Sequence, residues 1–136
     1  MTISSIQFSE ALTHMKRPSA SVCAILRAHY KARGRVSTMT LLAEAAGYAS
    51  FSPVNLHYGA LARRIARHLA ISEPSLKMPQ ASDAYLSLLV DFIKPEAVTN
   101  VHWLLVMKPE FAEALRDSGW ISTRTASKRT PSGQRL

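Results

Sequence analysis

Three arginines within five positions, Arg63, Arg64 and Arg67, carry the most pointed chemistry in the chain. A guanidinium offers a rigid fork of donors that matches phosphate oxygens and guanine edges. The three lie in S-P-V-N-L-H-Y-G-A-L-A-R-R-I-A-R-H-L-A, residues 52–70, together with Asn55 and His57. Amide and imidazole side chains near a helix N-terminus are suited to base edges. A second cationic cluster, Lys31, Arg33 and Arg35, could flank such a site with phosphate contacts. Its competing reading is local, because basic side chains also stabilise the negative end of a helix dipole.

Other chemistries find no support. There is no phosphate-cradling glycine loop, no H-E-x-x-H and no G-x-S-x-G. The five histidines, His14, His29, His57, His68 and His102, are scattered. His57 and His68 fall on one flank of a single helix but three turns apart, too far to share one metal ion. We therefore expect no metal, no cofactor and no catalytic group. Cys23 reads as a small core residue, and Trp103 and Trp120 read as core anchors. Asp91 interrupts an apolar run; it reads as an outward-facing residue on a solvated sheet face, or else as the ion-pair partner of an arginine of the long helix.

Residues 52–70 must form a helix for this chemistry to converge. Ser52 reads as the N-cap and Pro53 as the first helical residue. Val54, Tyr58, Leu61, Ala62, Ile65 and Leu69 recur at spacings of three and four, which gives one apolar stripe. At about 100° per residue, Arg63, Arg64 and Arg67 fall opposite that stripe, with Ala60 among them and His57 at the edge. Gly59 inside the helix costs about 1 kcal/mol relative to alanine and marks a close approach.

Around this helix the chain reads in order. Residues 3–15 form a short amphipathic helix with Phe8, Ala11, Leu12 and Met15 on one side, ended by Lys16-Arg17-Pro18. Residues 19–33 form a second, burying Val22, Ile25, Leu26 and Tyr30, with Gly34 just beyond its end. Ser37, Thr38 or Thr40 caps a short third helix that carries Leu41, Leu42 and Ala45 and stops at Gly47. Ala43, followed four residues later by Gly47, suits the first helix and turn of a helix-turn-helix unit. Residues 71–83 read as a loop. The period then changes to two: Leu86, Leu88, Val90 and Phe92 share one face of a strand over 85–93, and 101–107 form its antiparallel partner. Pro109 opens a last helix with Phe111, Ala114 and Leu115 buried, and Gly119 stops it before Trp120 and Ile121. Residues 122–136 are nearly free of apolar side chains and read as a disordered basic tail beyond a single domain over 1–121.

Composition narrows the class. With 47% hydrophobic and 19% charged residues, the chain of 136 residues suits one globular domain. A single cysteine permits no internal disulfide, no run is apolar enough to span a bilayer, and the opening M-T-I-S-S-I-Q-F-S-E lacks signal-peptide features. A cytoplasmic protein with no membrane partner is the expectation. The net charge of +8 is unevenly spread. Residues 1–71 hold nine basic against two acidic side chains, hence +7; residues 72–121 hold four against seven, hence −3; the tail adds +4. A basic half of this kind suits a polyanion.

The run A-E-A-A-G-Y-A-S-F-S-P-V-N-L-H-Y-G-A-L-A-R-R-I resembles a segment of small uncharacterised bacterial and phage proteins. It is also similar to the non-catalytic N-terminal domain of some HNH-type restriction nucleases. Asn55, Leu56, Tyr58, Gly59, Leu61 and Arg63 carry the pattern, and L-L-V-D-F-I-K-P and W-L-L-V-M-K-P-E-F-A-E-A-L-R-D-S-G-W-I extend it. The resemblance implies a helix-turn-helix-like fold; with no His-Asn-His constellation following, it implies no nuclease activity.

The combined expectation is an α+β, winged-helix-like domain, with a helical N-terminal half, a β-hairpin wing and a short C-terminal helix. Its expected function is non-enzymatic binding of double-stranded DNA through Arg63, Arg64, Arg67, Asn55 and His57, flanked by Lys31, Arg33 and Arg35. The alternative is a protein-interaction module or phage inhibitor that turns its basic face to an acidic protein partner.

Overall fold

Short polar side chains and left-handed turns decide where each element starts and stops. The computed structural model describes residues 3–71, 84–94 and 103–121. The loop expected over 71–83, most of the connection between the two expected strands, and the tail over 122–136 lie outside the described residues. Helix α1 (Ser5–His14) opens on a reciprocal cap: the Ser4 hydroxyl accepts the Gln7 N–H, and the Gln7 side chain accepts the Ser4 N–H. Ser19 caps helix α2 (Ala20–Lys31), which buries Val22, Ile25, Leu26 and also His29. This helix ends two residues earlier than expected. Ala32 is already extended, and Gly34 takes φ +64 within a single 3-10 turn, Arg33–Arg35. Arg33 and Arg35 therefore lie beyond the helix they were expected to cap.

The turn feeds a two-residue strand, β1 (Val36–Ser37). Thr38 caps helix α3 (Met39–Ala45) by accepting the Leu41 N–H at 3.1 Å. Leu42 and Ala43 are buried, whereas Leu41 and Ala45 are exposed, against expectation. A helix of two turns presents one stripe, here Met39, Leu42, Ala43 and Ala46, and the other positions must face out. At its end Gly47 (φ +83) sends its N–H to Glu44 and the Tyr48 N–H reaches back to Ala43, a left-handed cap. The chain then enters helix α4 (Ser52–His68). Ser52 is its first residue rather than its cap; Phe51 holds the cap position with no side-chain hydrogen bond. Val54, Tyr58, Gly59, Leu61, Ala62, Ile65 and Ala66 are buried. A second left-handed cap closes α4, with Ala70 at φ +57 and the Ile71 N–H on the Ala66 carbonyl.

The strand expected over 85–93 is only half strand. Ala84–Leu88 is a 3-10 turn packed on α4, and strand β2 is Val90–Ile93. Leu86, Ser87, Leu88, Leu89 and Val90 are all buried, so the alternation of apolar residues did not mark a two-faced strand. Strand β3 (Leu104–Met107) pairs antiparallel with β2, from Val90 opposite Met107 to Ile93 opposite Leu104. Its other edge pairs antiparallel with β1, giving a three-stranded sheet in the order β1-β3-β2. Asp91 points outward as expected, and its partner is Lys108 at 3.5 Å, not an arginine of α4. Helix α5 (Pro109–Asp117) lies against α1, where the Phe8 and Phe111 rings meet at 5.3 Å. Trp120 and Ile121 are buried after Gly119 (φ +80). The fold class is α+β, and the buried apolar residues form one core.

Candidate nucleic-acid interface

What aims α4 is a buried polar triad. His29 of α2 is fully buried; its Nε2–H donates to the Leu105 carbonyl of β3 at 2.9 Å. That fixes the tautomer, so Nδ1 accepts the Tyr58 hydroxyl of α4, also at 2.9 Å. Three elements are thereby locked in register by two directional bonds. Burial lowers the His29 pKa, with the Leu105 and Arg35 backbone pulling upward, and burial raises that of Tyr58. Both side chains stay neutral near pH 7, which is what an unpaired core position demands. Sequence reading placed Tyr58 in the apolar stripe but gave His29 no part. The signal was present: His29 falls three and four residues after Leu26 and Ile25, on the buried stripe of α2.

With one face of α4 held in the core, the other is open. Arg63, Arg64 and Arg67 are all exposed, and Ser52 and Leu56 continue the same strip toward the N-terminus. Arg64 reaches the Lys16 carbonyl at 3.5 Å, so exposed Lys16, in the α1–α2 connection, borders the cationic end of the helix. His68 stacks on His14 of α1, with ring centroids 5.5 Å apart. Arg17 donates to the Gly119 carbonyl, tying that connection to the end of α5. Lys16 was read from the sequence only as part of a helix break. Its relation to Arg64 spans 48 positions, and no local pattern reports it.

The remaining expected residues divide. His57 is half-buried at the N-terminal part of α4, and its ring stacks on Tyr48 at 6.3 Å. Asn55 is half-buried and lies about 80° round the helix from Arg63, toward the packed side. Lys31 and Arg33 are exposed. Arg35, at φ +55, is half-buried with its guanidinium 4.6 Å from the centre of the Tyr30 ring. The register puts Val36 beside Val106 and Ser37 beside Leu105, so the 31–35 cluster sits at the end of the sheet remote from the β2–β3 connection. The structure thus brings Arg63, Arg64 and Arg67 together on one face. Lys31 ends α2, and Arg33 and Arg35 lie in the turn that follows it.

The charge pattern is as informative as the geometry. Between Glu44 and Glu73 the chain has no acidic residue, so α4 carries no carboxylate of its own. The carboxylates of α5 serve locally instead: Arg116 pairs with Glu113 at 3.8 Å and with Asp117 at 3.4 Å. Among the described residues no group of three or more His, Cys, Asp or Glu could hold a metal ion, and no helix is long and apolar enough to cross a membrane. Known protein families, curated proteins and solved structures give no match to the chain.

Proposed function

We propose that this chain is a non-enzymatic protein that binds double-stranded DNA with α4 as its recognition helix. The observation that carries the reading is the exposed, acid-free face of α4, with Arg63, Arg64 and Arg67 opposite the buried stripe. The element order supports it. A helix, a short strand, two helices and a two-stranded hairpin, with the short strand on the outer edge of the hairpin, is the order of a winged helix. In that arrangement α3 and α4 form the helix-turn-helix pair and β2–β3 the wing. The resemblance to the non-catalytic N-terminal domains of HNH-type nucleases is to a helix-turn-helix-like pattern and not to a defined activity, and that pattern fits the same reading. Arg63, Arg64 and Arg67 take phosphates and guanine edges, His57 stands at the margin of that face while Asn55 lies toward the packed side, and Lys16, Lys31 and Arg33 add phosphate attraction. A regulatory role in the cytoplasm is part of the same proposal.

Titration of labelled duplex at several salt concentrations tests the proposal. Affinity should fall steeply with salt, because each neutralised phosphate releases condensed counterion. Replacing Arg63, Arg64 and Arg67 together by alanine should flatten the log–log salt slope by about 2 to 3 units, at about 0.9 per lost phosphate contact. Parent protein that shows no salt-sensitive binding, or a triple variant that binds as well as the parent, overturns the reading.

A second reading rests on one observation. Leu41, Phe51 and Leu56, three large exposed apolar side chains, belong to α3, α4 and the turn between them. A surface of that kind beside a cationic strip also suits an acidic protein partner, as an inhibitor or interaction module would meet.

A further inference from the structure

Leu56 is 63% exposed on α4, and nothing in the core calls for it there. It falls about 20° round the helix from Arg63 and about 20° from Arg67, so it continues the arginine strip toward the helix N-terminus. Half-buried Ala60 lies on the same side, one turn after Leu56. After Ser52 the strip therefore has two chemistries in order: an apolar part, Leu56 and Ala60, and a cationic C-terminal part, Arg63, Arg64 and Arg67. An exposed leucine alone needs no explanation. Its place does, because a solvated back face is filled at lowest cost with polar side chains, and this strip has neither acid nor amide along its centre. Among the bases only thymine presents a methyl group in the major groove, and apolar side chains are what contact it.

Resting on the DNA-binding reading of α4, we propose that Leu56, supported by Ala60, reads thymine C5-methyl groups in the major groove. The arginines of the same strip hold the neighbouring phosphates and fix the register. The charge complementarity of Arg63, Arg64 and Arg67 is what commits this apolar patch to DNA. The ligand is thus a thymine-containing duplex, and the discriminating atom is one carbon per thymine.

The test uses the full chain and a pool of duplexes with a randomised central segment, from which bound sequences are selected. In the selected duplex each thymine is then replaced in turn by deoxyuridine, which removes only the methyl group. Replacement at one or two positions should weaken binding about fourfold each, the value of one buried methyl group. Leu56→Ala should bind the parent duplex more weakly and lose the difference between thymine and deoxyuridine, at an unchanged salt slope. Leu56→Ser, with a similar loss expected, guards against an accident of one substitution. Salt-sensitive binding with equal affinity for thymine and deoxyuridine duplexes overturns the methyl readout and leaves the DNA reading standing. Absence of salt-sensitive binding to any duplex overturns both, and Leu56 then belongs to a surface for a protein partner.

Discussion

Replacing His29 by leucine separates the two things its buried ring does, positioning and proton exclusion. In the parent the Nε2–H is held by Leu105 and Nδ1 by the Tyr58 hydroxyl, each at 2.9 Å, inside a core where Tyr58 is 1% exposed. Burial lowers the His29 pKa below its ordinary value of 6.5. The unfolded chain then takes up a proton as pH falls through 6.5 while the folded chain does not, so stability is lost on the acid side. The contribution is fully present above that pH. Moving from about pH 7.5 to about pH 5.5 therefore costs at most about 1.4 kcal/mol, the limit in which the folded ring takes up no proton. Leucine removes the titration but strands the Tyr58 hydroxyl and the Leu105 carbonyl, at about 1–3 kcal/mol for each orphaned group. Urea unfolding should therefore find His29→Leu about 2–6 kcal/mol less stable near pH 7.5. The gap should narrow toward pH 5.5, by at most about 1.4 kcal/mol. The other histidines are common to both proteins and cancel in the difference. A gap that does not change with pH would mean the folded ring accepts a proton as readily as the unfolded one. A leucine variant as stable as the parent near pH 7.5 would mean the triad adds no net stability, and the account of what aims α4 would fall with it.

Three further outcomes follow from the backbone. Gly59 is buried in α4, so Gly59→Leu should lower stability by about 1–3 kcal/mol through overpacking, and a melting curve equal to the parent's would refute the close approach. Ala70 occupies a left-handed position, φ +57, that costs an L-residue about 1–2 kcal/mol. Ala70→Gly should relieve part of that cost and raise the melting temperature; a fall would show that Ala70 is not strained. Removing the Thr38 cap with Thr38→Ala should cost about 1 kcal/mol in urea unfolding and lower α3 protection in hydrogen exchange, and unchanged protection would count against the cap.

Long periodic elements were legible in the sequence, and the antiparallel pairing of β2 with β3 was legible with overlong bounds, whereas β1 was not. The apolar stripe of α4 repeats over four turns, and Val54, Tyr58, Leu61, Ala62 and Ile65 are all buried as their spacing requires. Beta strand β1 has two residues, too few for any period, and exists because β3 offers it an edge. The segment from Tyr85 to Val90 misled for a related reason. Alternating leucines look like a strand, but here the intervening Ser87 and Leu89 are buried as well, because the segment is enclosed by α4 on one side and the sheet on the other. Arg33 and Arg35 were legible as charges, while their place beyond the helix depended on Ala32 turning extended, which no residue type announces.

The candidate site was legible in a different sense. Amphipathic periodicity told which face of α4 carries arginine, and the structure leaves that face open. What periodicity cannot tell is whether an arginine face is a solubilising surface or a binding one, since both are exposed and cationic. The arrangement of opposite charge separates a helix that pairs its own charges from one that does not. A solubilising helix intersperses both signs and stabilises itself with neighbouring pairs, as α5 does with Arg116 between Glu113 and Asp117. Helix α4 has three arginines and no acid from Glu44 to Glu73, so its positive charges repel one another with no carboxylate on the same helix to offset them. The like-charge cost of such a face is small in water and is reversed when phosphates approach. Conserving the fold requires only that the opposite stripe stay apolar and that Tyr58 keep its bond to His29. What the arginine face meets outside is the proposal that the salt titration of the triple arginine variant tests.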